Sequence, residues 1–304
     1  MIPKFPQFKN LEILDKEEIE KITNLFSPYS DFNFVSLYSW DTQNLARISL
    51  LNGNLVVKFL DYITSEPFYT FIGRNEVPET IRTLLDISEK EGLTPRLKLV
   101  PEEIIQPNLS SLTNQFSISE DRDNFDYVLS IEGLSELKGG KYHDERNLVN
   151  RFKRENANCQ VTSIDLSDAR LSGGVLGVFE MWEKSKNAKR VDTENELIAV
   201  KRVLNNFDAL NVLCLGVYIK DTMVAFSISE VERMGWATAH YRKADNFYRG
   251  IFQFLEQETN KKLLSLGCKN LNYEQDLGIE GLRKAKQLLR PVSYLKKYTI
   301  KPKL

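Results

Sequence analysis

Carboxylates, amines and guanidinium groups gather toward the C-terminus at spacings that suit proton transfer and anion binding. Asn272, Glu274 and Asp276 alternate in the run NYEQDLGIEGLRKAK, and alternation along a strand places side chains on one face. A glutamate at a strand end beside a cleft can take a proton from an attacking amine or hold an ammonium group, so Glu274 is the candidate general base. Asp276 belongs to the same constellation, and it suits equally well the N-cap of the helix that follows. Arg283, Lys284 and Lys286 come next. Arg283 and Lys286 are three apart, hence neighbours on one helix face, where cations would neutralise the phosphates of a donor.

A second group lies upstream in HYRKADNFYRGIFQFLEQE. His240, Arg242 and Asn246 alternate off a predicted strand, with Tyr241 and Lys243 pointing the other way. His240 suits a general base or a hydrogen-bonded structural histidine. Tyr248, Arg249 and Gly250 open a predicted helix, and backbone N–H groups at such a start can meet an anion or a developing oxyanion. The single glycine also suits a turn or packing position. Farther upstream, KYHDERNLVNRFKR projects two faces as a helix. Glu145, Leu148, Val149 and Phe152 form the core stripe. Asn147, Asn150, Arg151 and Arg154 fall opposite, with Arg146 at the edge, a set able to hold phosphate or carboxylate or simply to face solvent. Together these groups point to acyl transfer onto an amine.

Composition narrows the alternatives. The chain has 304 residues, 42% hydrophobic and 27% charged, which is globular and long enough for two domains. Apolar runs such as VLCLGVYI are strand-sized and too short to span a bilayer. The N-terminus lacks an apolar signal core, so a cytoplasmic protein without an integral membrane segment is expected. Three scattered cysteines and two histidines give neither a disulfide framework nor a metal spacing, so no metal is expected. Net charge is −1, yet residues 281–304 hold eight basic and no acidic side chains, leaving −9 for everything before them. That asymmetry suggests a local anion site at the basic end, or a solvated tail and helix face.

The elements that must position these groups fall into two similar series. In the first half, runs around Asn52-Gly53 predict a hairpin, followed by a strand at 67–72. Pro78 opens a predicted helix reaching about Gly92, with Ile81, Leu84, Leu85 and Ser88 at helical spacing. A strand at 96–100, a short helix and a strand near 125–131 end the series. In the second half, helices near 141–154, 174–186 and 194–210 precede a hairpin across Lys220-Asp221-Thr222. A strand at 236–243, a helix at 248–266, a strand at 270–274, a helix from about 279 and a strand at 292–299 follow. Glycines 133, 139 and 140 mark the break, giving predicted domains 1–133 and 134–304.

This order resembles the acyl-CoA N-acyltransferase (GNAT-like) fold in tandem, an α+β class in which each domain is a mixed β-sheet flanked by helices. In that fold the loop after the third core strand holds the pyrophosphate of acyl-coenzyme A. The second half offers Asp245–Gly250 there, and the first half offers Gly73–Pro78 without a run of free donors. The predicted site therefore lies in the second half or in the cleft between the halves. The two opening motifs and the 141–154 helix resemble a bacterial family named for its likeness to the C-terminal domain of phosphatidylglycerol lysyltransferase, most closely over EQDLGIEGLRKAK. The resemblance implies kinship with Fem-type peptidyltransferases, which move an amino acid from aminoacyl-tRNA onto an amine. Lys243, Gly250, Glu274, Asp276, Gly278, Arg283, Lys284 and Lys286 stand at family motif positions, with Lys243 joining Glu274 as a catalytic candidate. This chain has Gln287, Leu288 and Leu289 where the family often continues Leu-Ser-Tyr, and Arg242 where it often has a carboxylate. The expected donor is acyl-CoA or aminoacyl-tRNA, with tRNA contact through the basic end. The competing expectation is a non-catalytic protein that keeps the fold and binds RNA or another anion.

Overall fold

The computed structural model describes residues 1–185 and 191–303. The chain opens with β1 (Lys9–Asn10), α1 (Lys16–Thr23) and α2 (Phe34–Trp40), the last capped by Asn33, whose side chain accepts from Ser36 N–H. Asn52 and Gly53 take left-handed φ of 56° and 80° and join β2 (Arg47–Leu51) to β3 (Asn54–Leu60), the geometry a two-residue hairpin turn needs. Next come β4 (Pro67–Ile72), α3 (Val77–Lys90), β5 (Leu97–Pro101), α4 (Glu102–Ile105), α5 (Leu109–Thr113), β6 (Phe116–Glu120) and β7 (Asp126–Ser130). Pro78 sits in the first turn of α3, and Ile81, Leu84, Leu85 and Ser88 form its buried face, as the helical spacing predicts.

The later elements are α6 (Ile131–Glu136), α7 (His143–Glu155), β8 (Gln160–Ser163), α8 (Ala169–Ser185), α9 (Val191–Asn205) and α10 (Phe207–Leu210). They continue with β9 (Leu213–Ile219), β10 (Thr222–Val231), β11 (Trp236–Ala244), α11 (Ile251–Ser265), β12 (Asn270–Asn272), α12 (Glu280–Leu288), β13 (Ser293–Leu295) and β14 (Lys297–Pro302). The predicted end of α8 at Lys186 lies outside the described residues.

The fold is α+β, with two mixed sheets, and the chain divides into two compact units. One comprises Met1–Tyr127 with Glu274–Leu304, and the other Val128–Tyr273. In the first, the strand order is β1-β2-β3-β4-β5-β14-β6. Among the described strands of that sheet, β4 and β5 are the parallel pair. The second unit's strands follow the order β7-β12-β11-β10-β9-β8, with β11 and β12 the parallel pair.

This division corrects the expected boundary. The last strand was expected to close the second half, but β14 inserts between β5 and β6 of the first unit. Conversely, Val128–Ser130 of β7, expected to close the first half, pair with β12 of the second. A strand's alternation specifies which face it buries and says nothing about which of two similar sheet edges it joins. The core of the first unit is built on residues such as Val56, Val57, Ile81, Leu84, Val100 and Ile300, and that of the second on Phe152, Val175, Phe179, Val217, Phe226 and Leu263.

Candidate functional site

From Glu274 onward the C-terminal motif lies in the first unit, whereas Asn272 and Tyr273 belong to the second, and β12 ends at Asn272, so the expected alternation of Asn272, Glu274 and Asp276 along one strand does not form. Glu274 and Leu277 take left-handed φ of 54° and 56°, and Gly278 follows at 72°. Two non-glycine residues in that region make a strained turn, which persists only where surrounding bonds over-determine it. They do so here: Glu274 C=O accepts from Tyr127 N–H at 3.1 Å, and Asp276 pins the rest. The fully buried Asp276 carboxylate accepts from Arg283 Nε (2.9 Å) and Nη2 (2.7 Å), Tyr127 Oη (2.6 Å), Arg122 Nη1 (3.2 Å) and Gly278 N–H (2.9 Å). Burial alone would raise its pKa, but the bonds from Arg283, Tyr127 and Gly278 overcome it and bring the carboxyl to about 2. Asp276 is therefore the anchor of its loop, while the N-cap of α12 is Ile279.

Arg283 also donates to Asp123 at 2.6 Å, so its guanidinium is committed within the unit. Lys284 is 70% exposed and pairs with Glu280 one turn earlier. Lys286 points inward and donates to Gln275 C=O at 2.8 Å. Its burial lowers the ammonium pKa to about 8, against the opposing pull of Glu274, Asp126 and Asp276. The Glu274 carboxylate accepts from Ser36 Oγ at 3.1 Å.

Beneath this lies a cluster that sequence reasoning missed. Lys297, fully buried, donates to Asp126 at 2.7 Å and to Ser30 Oγ at 3.1 Å, and pairs with Asp31. Ser30 Oγ bonds Asp126 and Gln275, each at 2.6 Å. Burial raises the Asp31 pKa even with Lys297 alongside. One signal was available: Asp31 and Asp126 each interrupt an aromatic, apolar run, and a carboxylate in such a place needs a buried partner.

The remaining predicted residues lie in the second unit. β11 carries a bulge at His240, since Tyr241 pairs with Ile228 but Ala239 with Ser229, and a bulge re-aims the side chains around it. His240 is buried with Nε2 3.5 Å from Glu230. Lys243 faces α8 and α9, where it bonds Glu196 and lies 4.1 Å from the Trp182 ring centroid. Arg242 faces the opposite side, with Nε 3.0 Å from Glu256 of α11 and its guanidinium 5.0 Å from the Tyr273 ring centroid. Asn246 lies beyond the end of β11, in the loop, and donates to Ser185 Oγ of α8 at 2.7 Å. Asn272 is buried in β12, opposite Thr238 of β11.

At the start of α11, Gly250 has φ +87°, and a Cβ there would sit 2.3 Å from Leu148 C=O. That approach and the left-handed φ require glycine, and they seat α11 on α7, where the Phe152 and Phe254 rings pack at 4.7 Å. Tyr248 N–H donates to Asp245 C=O at 3.2 Å, and Arg249 is exposed. On α7, Val149 and Phe152 are buried, and Asn147 and Asn150 are exposed. Arg146 donates to the carbonyls of Leu137 and Gly139 just past α6, which satisfies orphan carbonyls at a helix end. Among the described residues no cluster of His, Cys, Asp or Glu could hold a metal, and no helix is long and apolar enough to cross a membrane.

Residues 23–301 match the family model described as phosphatidylglycerol lysyltransferase, C-terminal. The chain belongs to this family. Among solved structures, a Bacteroides thetaiotaomicron protein of unknown function is similar over 100% of both chains, with 27% identity and TM-score 0.86. L-PGS from Bacillus licheniformis is similar over 99% of this chain and 94% of its own, with 14% identity and TM-score 0.63. A tandem GNAT protein of the clavulanic acid pathway is similar over 96% and 97%, with 8% identity and TM-score 0.50. No curated protein sequence matches significantly. As a phosphatidylglycerol lysyltransferase C-terminal family member, the chain has an acyl- or aminoacyltransferase-like fold of GNAT type.

Proposed function

We propose that this protein transfers an activated acyl or aminoacyl group to an amine or hydroxyl acceptor, with aminoacyl-tRNA favoured over acyl-CoA as donor. The observation that carries the reading is the Glu274 carboxylate, held on a strained left-handed residue and bonded to Ser36, in the unit where burial lowers the Lys286 ammonium to about 8. Strain retained at a carboxylate fits a group fixed for chemistry. The donor carbonyl carbon forms a new bond to the acceptor nitrogen or oxygen, and the acceptor's proton passes to Glu274. The ester C–O bond, or the C–S bond of a thioester, then breaks, and the leaving group takes up a proton.

The preference for aminoacyl-tRNA rests on the family's lysyl-transfer name and on the seating of Gly250 against Leu148, which uses the glycine of the would-be pyrophosphate loop for packing. That same seating favours a second reading, an anion-binding protein without turnover. Single-turnover assays with lysyl-tRNA and with acetyl-CoA, against a panel of amine and hydroxyl acceptors, separate the two. Glu274→Gln should slow transfer about a hundredfold or more while donor affinity holds. Wild-type protein that binds donor but transfers nothing would leave the anion-binding reading standing. Donor affinity that ignores salt would remove tRNA, because phosphate contacts release counterions.

A further inference from the structure

A groove in the second unit takes no part in the transfer chemistry above. It encloses about 350 Å³ between the first turns of α8 and the end of α9, within the range of about 300–1,000 Å³ that small-molecule sites occupy. Leu166, Leu176 and Leu204 supply its apolar walls. The hydroxyls along it are committed, since Ser172 Oγ donates to Leu166 C=O at 2.7 Å and Ser167 Oγ to Asp165 at 2.6 Å. Asp168, in the same loop, pairs with Arg170. Lys201 and Asn205 also line the groove, are exposed, and have no side-chain partner among the described residues. They are four apart on α9, hence neighbours on one face. Gly173 stands opposite them on α8. A Cβ at Gly174 would meet the Met223 methyl at 2.9 Å, whereas one at Gly173 would meet nothing within 4 Å. Packing therefore accounts for the glycine at 174 and not for the one at 173, although either weakens the helix. At Gly173 the missing side chain leaves the groove its room.

We propose that this groove binds an amphipathic acid, a single hydrocarbon chain ending in a carboxylate. The chain lies against Leu166, Leu176, Leu204 and the bare backbone of Gly173, and the carboxylate meets the Lys201 ammonium. The division of the lining selects that class. Apolar walls favour a hydrocarbon body, and an unpaired ammonium at the rim makes a charge-assisted bond to an acid head. The Asn205 amide, one turn on, donates to the second carboxylate oxygen. A neutral alcohol of the same length leaves the cation without a counter-charge, and an amine brings a like charge to it. The inference rests on the second unit alone and does not depend on catalytic turnover.

The test is a calorimetric titration of the full-length protein with octanoate, alongside octanol, which lacks the charge, and acetate, which lacks the chain. Octanoate should bind saturably and about tenfold or more tightly than either. Gly173→Leu places a side chain where nothing stands within 4 Å, and leucine is the better helix former, so this variant should melt like wild type and lose octanoate binding. Lys201→Ala, at an exposed position, should weaken octanoate about tenfold and leave octanol unchanged. No saturable octanoate binding overturns the proposal, as does octanol binding as tightly as octanoate. Undiminished octanoate affinity in either variant overturns it as well. Should Gly173→Leu not fold, Lys201→Ala and the octanol comparison decide the matter between them.

Discussion

The two units handle buried charge in opposite ways. In the first, every cation of the buried cluster faces a carboxylate or carbonyl of the same unit: Arg283 on Asp276, Lys297 on Asp31 and Asp126, Lys286 on Gln275. In the second, Arg242 keeps donors without hydrogen bonds although its side chain is as deeply placed as that of Lys243. A fully bonded network holds a chain together more firmly than a partly bonded one. The contrast also explains the charge asymmetry of the sequence. Much of the basic end pairs with acids of the same unit (Lys296 with Glu120, Lys297 with Asp31 and Asp126, Arg283 with Asp123), so it is in large part an internal fastening of the C-terminal segment.

The strongest way to break this comparison is Lys297→Met. It leaves two carboxylates buried without a cation, and removing one partner of a buried ion cluster costs about 3–5 kcal/mol. Chemical denaturation should show a loss of that order, with β14 released from between β5 and β6. A loss below about 1 kcal/mol would mean that the cluster is hydrated and not closed.

Asp276 provides the next largest effect. Its folded pKa of about 2 lies below the usual value of 3.8, so its contribution is complete above about pH 4 and is lost as pH falls through about 2. Asp276→Asn should cost about 1–3 kcal/mol at pH 7 and should flatten the acid limb of the stability curve. Denaturation midpoints for both proteins between pH 2 and 7 check it, and parallel acid limbs would show that Asp276 does not carry the linkage.

These sites show what was legible. The hairpin at Asn52-Gly53 and the Pro78 helix with its buried face could be read, because turn chemistry and periodicity are local. Which sheet β14 and β7 join could not, since both sheets present an edge beside a parallel pair and strand alternation fits either. The candidate site residues have partners that their spacing did not reveal. Asp276 suited a helix cap by spacing, and only the fold brings Tyr127 and Arg122 to it from about 150 residues away. Lys286 was expected beside Arg283 to neutralise donor phosphates and instead turns inward onto Gln275, because nothing in one helix turn records what packs above it. Glu256 went unnoticed in α11, whose partners Arg242 and Tyr273 come from two separate strand ends.

Gly250→Ala tests whether the α11 start is seated by packing. Its Cβ would meet Leu148 C=O at 2.3 Å and must adopt φ +87°, so about 1–3 kcal/mol of destabilisation is expected. The thermal midpoint of the second unit should fall while that of the first holds. Retained stability would mean that α7 and α11 can shift apart and that the loop is free for a ligand after all.

The smallest expected effect sharpens the comparison most. Arg242→Gln and Arg283→Gln remove the same charge from two arginines whose side chains differ in what they bond. Arg283 loses three hydrogen bonds to Asp276 and Asp123 and leaves a fully buried carboxylate with less compensation, which places its cost near the upper end of about 1–3 kcal/mol. Arg242 loses one ion contact and no hydrogen bond from Nε or Nη2, and leaves the buried Glu256 with Asn260 and Tyr273 as donors, so its cost should lie toward the lower end of about 1–3 kcal/mol. Equal losses in paired denaturation curves would erase the distinction between a closed and an open network. A small loss at Arg242 together with a large one at Arg283 would mean that hydrogen bonds, more than the charge itself, set what each guanidinium contributes to the fold.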